Sequence, residues 1–222
     1  MNTQAVFFDL DGTLIDTAPD MGGALNRLLI RHRRPPVAAR HYRAQVSHGS
    51  IALLKLGFPE LAAPSEFESL RTEFLNEYEK HLCNDSLVFT EMVPVLEQLE
   101  QLNIPWGIIT NKPEYLTLSL LDKLDLTRRC CCIIGADTAA RAKPHPEPML
   151  LACKRTDVVP ERCVYVGDAE RDIQAGLSVG MKSLVAGWGY IDPLEDNPEQ
   201  WGADDYLSSP EMLLQHITRQ NN

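Results

Sequence analysis

Long apolar runs are missing from this chain: no stretch approaches the roughly 18 consecutive apolar residues that a membrane helix requires. The residues ahead of Ala5 hold no basic segment, apolar stretch and cleavage site of a secretory leader, so a cytoplasmic location is expected. Positive charge is scarce, with 21 Lys and Arg against 31 Asp and Glu and a net charge of −10. That balance argues against nucleic acid as a partner, and no membrane partner is expected. The one basic run, Arg31-His32-Arg33-Arg34 ahead of Pro35-Pro36, reads as a solvated helix end. C-x-x-C pairs are absent from the cysteines at 83, 130, 131, 132, 153 and 163, which suits neither a zinc site nor a disulfide framework. They read as small buried hydrophobes in a reducing compartment, with Cys131 and Cys132 alternating across a strand that leads into Ile133-Ile134. No nucleophilic cysteine, internal repeat or low-complexity tract is evident. What remains is ordinary: 222 residues, 44% hydrophobic and 23% charged, enough for one large domain or a domain with an insertion.

The most informative stretch is Val6-Phe7-Phe8-Asp9-Leu10-Asp11-Gly12-Thr13. An apolar strand ends in carboxylates spaced i, i+2, which alternation places on one face at its carboxyl end. Like charges so close are unfavourable unless a cation, a proton or a reacting group compensates them. The alternative is structural, since Asp-Gly also closes ordinary turns.

Beyond Asp16-Thr17-Ala18-Pro19-Asp20, which reads as a capped helix start with proline in its first turn, the sequence is helical in character to about Leu87. Apolar residues recur at helical spacing over 21–29, 51–56 and 67–82, and no strand is expected there. From about residue 92, strand-like runs (106–110, 131–135, 163–167 and 181–186) alternate with amphipathic stretches (114–124, 146–154 and 172–179). That alternation predicts an α/β fold, a doubly wound and mainly parallel sheet with ligands at the carboxyl ends of its strands. The tail from Trp188 reads as loop-rich before a last helix near 210–218.

Three later segments repeat the theme of chemistry at a strand end. Ile108-Ile109 runs into Thr110-Asn111; Lys143 precedes the stiff turn Pro144-His145-Pro146; Val164-Tyr165-Val166-Gly167 ends in Asp168, with Asp172 four residues on. Taken alone, Gly167-Asp168 with Asp172 reads equally as a helix N-terminus with an acidic first turn. Either Thr110 or Asn111 could equally cap the helix that follows. His145 in the Lys-Pro turn reads as structural.

The four segments in this order resemble the haloacid dehalogenase-type phosphatases, whose pattern is D-x-D-G-T, a strand-end Thr or Ser, Lys-Pro, and G-D-x-x-x-D. The resemblance spans nearly the whole chain. It implies a Rossmann-like core over residues 1–16 and 88–222 and a helical cap over 17–87. It further implies that Asp9 attacks phosphorus to form an aspartyl-phosphate and that Asp11 is general acid and then base. Mg²⁺ is the implied cofactor, held by the carboxylates of Asp9 and Asp168 and the backbone carbonyl of Asp11, with Asp172 orienting that shell. Gly12, Thr110, Asn111 and Lys143 are the implied phosphate-binding residues, and Thr13 supports the loop. Ser47, His48 and Gly49 form a small polar loop in the cap, where family members present residues that recognise substrate.

The expected partner is a small phosphorylated metabolite; monomer and homodimer both stay open. Asp16–Asp20, Thr110–Pro113 and the tail from Asp196-Asn197-Pro198 to Asp204 are similar to the phosphoglycolate phosphatase group and its N-acetylmuramic acid 6-phosphate phosphatase branch. A sugar-phosphate mutase on the same scaffold carries a His just after the first motif, where this chain has Asp20-Met21-Gly22. A dehalogenase lacks the acid represented by Asp11. A phosphonatase needs a cap lysine, for which Lys55 is the nearest. A non-catalytic phospho-ligand regulator usually loses a nucleophile or metal ligand, and none is missing.

Overall fold

A computed structural model describes residues 3–60 and 63–218. The chain begins with β1 (Ala5–Phe8), every residue of which is buried. Such a run cannot alternate inside and outside; it belongs at the centre of a sheet covered on both faces. β2 (Ile15–Asp16) follows, then four helices: α1 (Ala18–Arg31), α2 (Ala39–Tyr42), α3 (Gly49–Gly57) and α4 (Pro64–Lys80). The chain returns through β3 (Leu87–Val88) and alternates: α5 (Met92–Gln101), β4 (Trp106–Ile109), α6 (Glu114–Lys123), β5 (Ile133–Ile134), α7 (Glu147–Thr156), β6 (Cys163–Gly167), α8 (Glu170–Leu177) and β7 (Lys182–Ala186). β8 (Asp205–Leu207) and α9 (Met212–Thr218) complete it.

Six strands form a parallel sheet in the order β5-β4-β1-β6-β7-β8. β1 lies centrally, with Phe7 opposite Gly107 of β4 on one side and Tyr165 of β6 on the other. Val6, Phe8, Val164 and Val166 pack with Leu96 and Leu99 of α5, Leu120 of α6 and Leu213 of α9. Ala5, Phe7 and Tyr165 face the other way, onto Met149 and Ala152 of α7 and Ala175 of α8. The order of strand addition reverses beside β1, with β4 and β5 on one side and β6 to β8 on the other, and at such a switch point the strand ends open onto a crevice.

α1, α3 and α4 pack on one another outside the sheet through Leu25, Leu28, Leu53, Leu54 and Phe74. Arg31 of the basic run and Arg27, one turn before it, both pair with buried Glu77 of α4, at 2.6 and 2.9 Å. Burial alone would raise Glu77, but hydrogen bonds from Arg31 and Arg27 outweigh it and hold its carboxyl below the usual value.

The structure departs from the sequence reading in three places. Strands do occur at the edges of the helical block: β2 and β3 pair antiparallel, Ile15 opposite Val88, and close its neck. The buried carboxylate of Asp20 ties the same neck, accepting from Asp85 N, Ser86 N and Ser86 Oγ. β5 is shorter than the apolar run suggests, so Cys131 and Cys132 precede the strand; Cys132 is buried but Cys131 is exposed. β8, within the tail read as loop, is an edge strand whose only buried residue is Leu207, and so it carries no apolar alternation to read. No helix among the described residues is long and apolar enough to cross a membrane.

Candidate active site

Each motif sits just past the carboxyl end of a central strand. β1 delivers Asp9, β4 delivers Thr110, Asn111 and Lys112, and β6 delivers Asp168, with Asp172 in the first turn of α8. Lys143 arrives on the loop ahead of α7. Because β4, β1 and β6 are neighbours, residues far apart in sequence converge on one spot.

Lys143 is the centre of that spot, its side chain wholly buried. Its ammonium donates to Ile109 O at 2.8 Å and Tyr165 Oη at 2.7 Å, and lies 2.6 Å from Asp172 Oδ1 and 2.9 Å from Asp9 Oδ1. Three protons cannot serve four acceptors, and Asp9 Oδ1 is left buried with no well-directed donor. Asp172 is occupied at both oxygens, its Oδ2 accepting from Ala169 N at 3.1 Å. Asp168 is fixed by Thr13 Oγ1 at 3.1 Å, Ser47 Oγ at 2.5 Å and Tyr190 N at 2.9 Å.

Oxygens of Asp9, Asp168 and Asp172 lie within 4.8 Å of one another, all buried. Against these three carboxylates stand two cations, Lys143 and the Arg171 guanidinium, so negative charge is in excess. Asp168 registers it: burial first, then Asp9 and Asp172, push its carboxyl up to about 7 despite the bonds from Ser47 and Tyr190. Asp172 is raised for the same reasons, burial and Asp9, with Lys143 opposing. A hard, all-oxygen donor set with surplus charge and an orphaned Asp9 oxygen fits a divalent metal ion.

Asp11 stands apart from this cluster. Its Oδ1 accepts from Lys112 Nζ at 2.9 Å and Thr17 Oγ1 at 2.6 Å. The Lys112 ammonium also lies 4.5 Å from the centre of the Tyr78 ring. The i, i+2 carboxylates therefore have separate lysines. Sequence reading singled out neither Lys112 nor Thr17 for this contact. Thr17 looks like a helix cap but makes no capping bond, its hydroxyl being spent on Asp11. Lys112 sits in the Thr110–Pro113 string, where nothing local says which carboxylate it meets.

Two other residues hold places unlike those the motif implies. The Asn111 side chain clamps the Lys143 backbone from both sides, donating to its carbonyl at 2.9 Å and accepting from its N–H at 3.0 Å. It is spent on positioning Lys143. The Gly12 N–H donates to Ile15 O at 3.0 Å, so that group is not free for phosphate. Gly12 matters for another reason: its φ is +88°, and a Cβ there would fall 2.3 Å from Asp168 Oδ2. The Thr110 hydroxyl accepts from Lys112 N at 3.2 Å, and His145 Nδ1 accepts from Glu147 N at 3.2 Å at the start of α7.

A cavity of about 350 Å³ opens above the cluster. Asp9, Asp11, Thr110, Asn111 and Lys112 line it from the sheet edge; Ser47, His48, Gly49, Arg71, Phe74 and Tyr78 line it from the helical block. Ser47 reaches across to Asp168, and the Arg171 guanidinium donates to the Ser47 carbonyl. The loop before α3 is thus fastened to the cluster from both directions.

Comparison with known proteins agrees with this geometry. The chain is 44% identical over 210 residues to a phosphoglycolate phosphatase of Xylella fastidiosa, covering 95% of this chain and 91% of that one. It is 36% identical over 219 residues to an N-acetylmuramic acid 6-phosphate phosphatase of Pseudomonas aeruginosa, covering 99% and 96%. Among solved structures, a predicted phosphoglycolate phosphatase from Haemophilus somnus superposes with a TM-score of 0.86 at 23% identity, covering 97% of this chain and 98% of that one, a likeness of fold. The family model described as haloacid dehalogenase-like hydrolase matches residues 6–186, and the chain belongs to that family.

Proposed function

We propose that this protein is a Mg²⁺-dependent phosphomonoesterase that works through an aspartyl-phosphate at Asp9. The observation that carries the reading is the buried group of Asp9, Asp168 and Asp172 around Lys143, opening onto a cavity that Asp11 also lines. Asp9 and Asp168 would hold the ion directly, with the Asp11 carbonyl, and Asp172 would orient them through Lys143. When bound, the ion would neutralise charge on the phosphoryl oxygens.

The steps belong to the side chains. An Asp9 oxygen forms a bond to phosphorus as the ester P–O bond breaks, and Asp11 gives its proton to the departing alkoxide. Water then attacks phosphorus, Asp11 takes its proton back, and the Asp9–phosphorus bond breaks to release inorganic phosphate. With Lys112 and Thr17 both donating to Asp11 Oδ1, the travelling proton belongs on the other oxygen, Oδ2. Lys143 stabilises the charge that builds on the phosphoryl group, and the Thr110 hydroxyl helps to hold it.

Residues 17–87 act in this reading as a cap on a core of 1–16 and 88–222. The two-stranded neck, the Asp20 tie and the fastening of Ser47 support that division. Free cysteines, three of them buried, suit work in a reducing cytoplasm. The substrates named for the two relatives are both phosphate monoesters of acids, and a small phosphorylated metabolite of that kind fits the cavity. The test is phosphate release from a panel of such esters with and without Mg²⁺, with hydroxylamine trapping of the acyl-phosphate. Trapped label should map to Asp9 and vanish in Asp9→Asn; full turnover by that variant would refute the assignment.

A further inference from the structure

Five buried side-chain polar atoms among the described residues have no hydrogen-bond partner, and three of them, on Asp9, Arg71 and Tyr78, belong to residues lining the cavity above the cluster. Buried groups are normally satisfied, so an orphan asks for an explanation. The reacting cluster accounts for Asp9, and the Lys112 ammonium, which meets the Tyr78 hydroxyl as well as its ring, accounts for Tyr78. Arg71 is left over.

We propose that Arg71 is a specificity residue that receives the carboxylate of the substrate. This deepens, and rests on, the phosphomonoesterase reading. Arg71, Phe74, Leu75 and Tyr78 follow helical spacing along α4, and all four line the cavity. Three cations reach that cavity. Lys112 is paired with Asp11, and Arg171 faces Asp172, Asp9 and Asp168. Among the described residues, Arg71 forms an ion pair with Glu68 alone, 3.5 Å from its guanidinium on the exposed side of the helix, a surface pair worth little. Its Nε is the donor that is buried and unused. A guanidinium with spare donors matches a carboxylate in shape and charge. Apolar Val46, Ile51, Phe74 and Leu75 also line the cavity and suit a carbon skeleton. The cavity therefore suits an ester with phosphate at one end and carboxylate at the other.

The test uses two acid–neutral pairs: 2-phosphoglycolate with its amide, and N-acetylmuramic acid 6-phosphate with N-acetylglucosamine 6-phosphate. The wild type, Arg71→Lys and Arg71→Gln are compared by kcat and KM. The wild type should prefer the acid in at least one pair by about 10- to 100-fold in kcat/KM, the scale of a charged hydrogen bond. That ratio should collapse in Arg71→Gln, chiefly through KM for the acid, and be kept in part by Arg71→Lys. Equal losses on acid and neutral ester, or no wild-type preference in either pair, would overturn the proposal. p-Nitrophenyl phosphate separates the two claims. Its hydrolysis without any acid preference removes only the Arg71 role; no hydrolysis of any ester with Mg²⁺ removes the phosphatase reading and this one with it.

Discussion

At the scale of single residues, the site separates two acids that the chain holds only one residue apart. Asp9 faces Lys143 and the metal-fitting cluster, while Asp11 faces Lys112 and Thr17. Different partners are what allow neighbouring carboxylates to play different roles. If Asp11 supplies the leaving-group proton, Asp11→Asn should lower kcat for an alkyl phosphate by about 10²- to 10⁴-fold. The loss should be much smaller for p-nitrophenyl phosphate, whose leaving group departs without a proton. Equal losses on both, in steady-state assays at one pH, would deny Asp11 that role.

At the scale of elements, the neck and the α1–α4 contact hold the helical block in place. Glu77 joins Arg27 and Arg31 across that contact, and its carboxyl lies below its unfolded value of 4.5. A depressed acid contributes stability above its unfolded pKa and loses it as pH falls through the folded value. Glu77→Gln should therefore cost about 1–2 kcal/mol at pH 7, discounted because both arginines are partly exposed, and the gap should narrow as pH falls below 4.5. Thermal melts of both proteins across pH check it. Legibility also divides at this scale. The buried runs of β1, β4, β6 and β7 announce themselves by composition, and so do the amphipathic helices between them. β5 lies within an apolar run that reads as a strand, though it is shorter, whereas β2, β3 and β8 are only two or three residues long, and pairing rather than local propensity makes them strands.

The whole molecule carries −10 yet gathers the buried carboxylates of Asp9, Asp168 and Asp172 where a cation has most to gain. Without metal, Asp168 sits at about 7 against an unfolded value of 3.8. The folded state then binds more protons than the unfolded one between those values, so stability falls as pH rises from about 4 through 7. If Mg²⁺ takes the place of that proton, it should raise Tm more at pH 8 than at pH 5; calorimetry with and without Mg²⁺ measures it. An equal rise at both would show that Asp168 does not take up the ion.

Sequence alone determined the family and the parallel sheet, and it marked the strand-end residues that the structure gathers at one edge. Each motif is local: an apolar run followed at once by Asp9, Thr110 or Asp168 records both a strand and what stands at its end. The partners of those residues were decided only in three dimensions. That Lys112 meets Asp11, that Asn111 holds Lys143 and that Ser47 reaches Asp168 depend on the lateral order of β4, β1 and β6 and on how the helical block returns over them. Such contacts join residues 32, 101 or 121 positions apart. No local pattern encodes them, because the packing of separate elements brings them together.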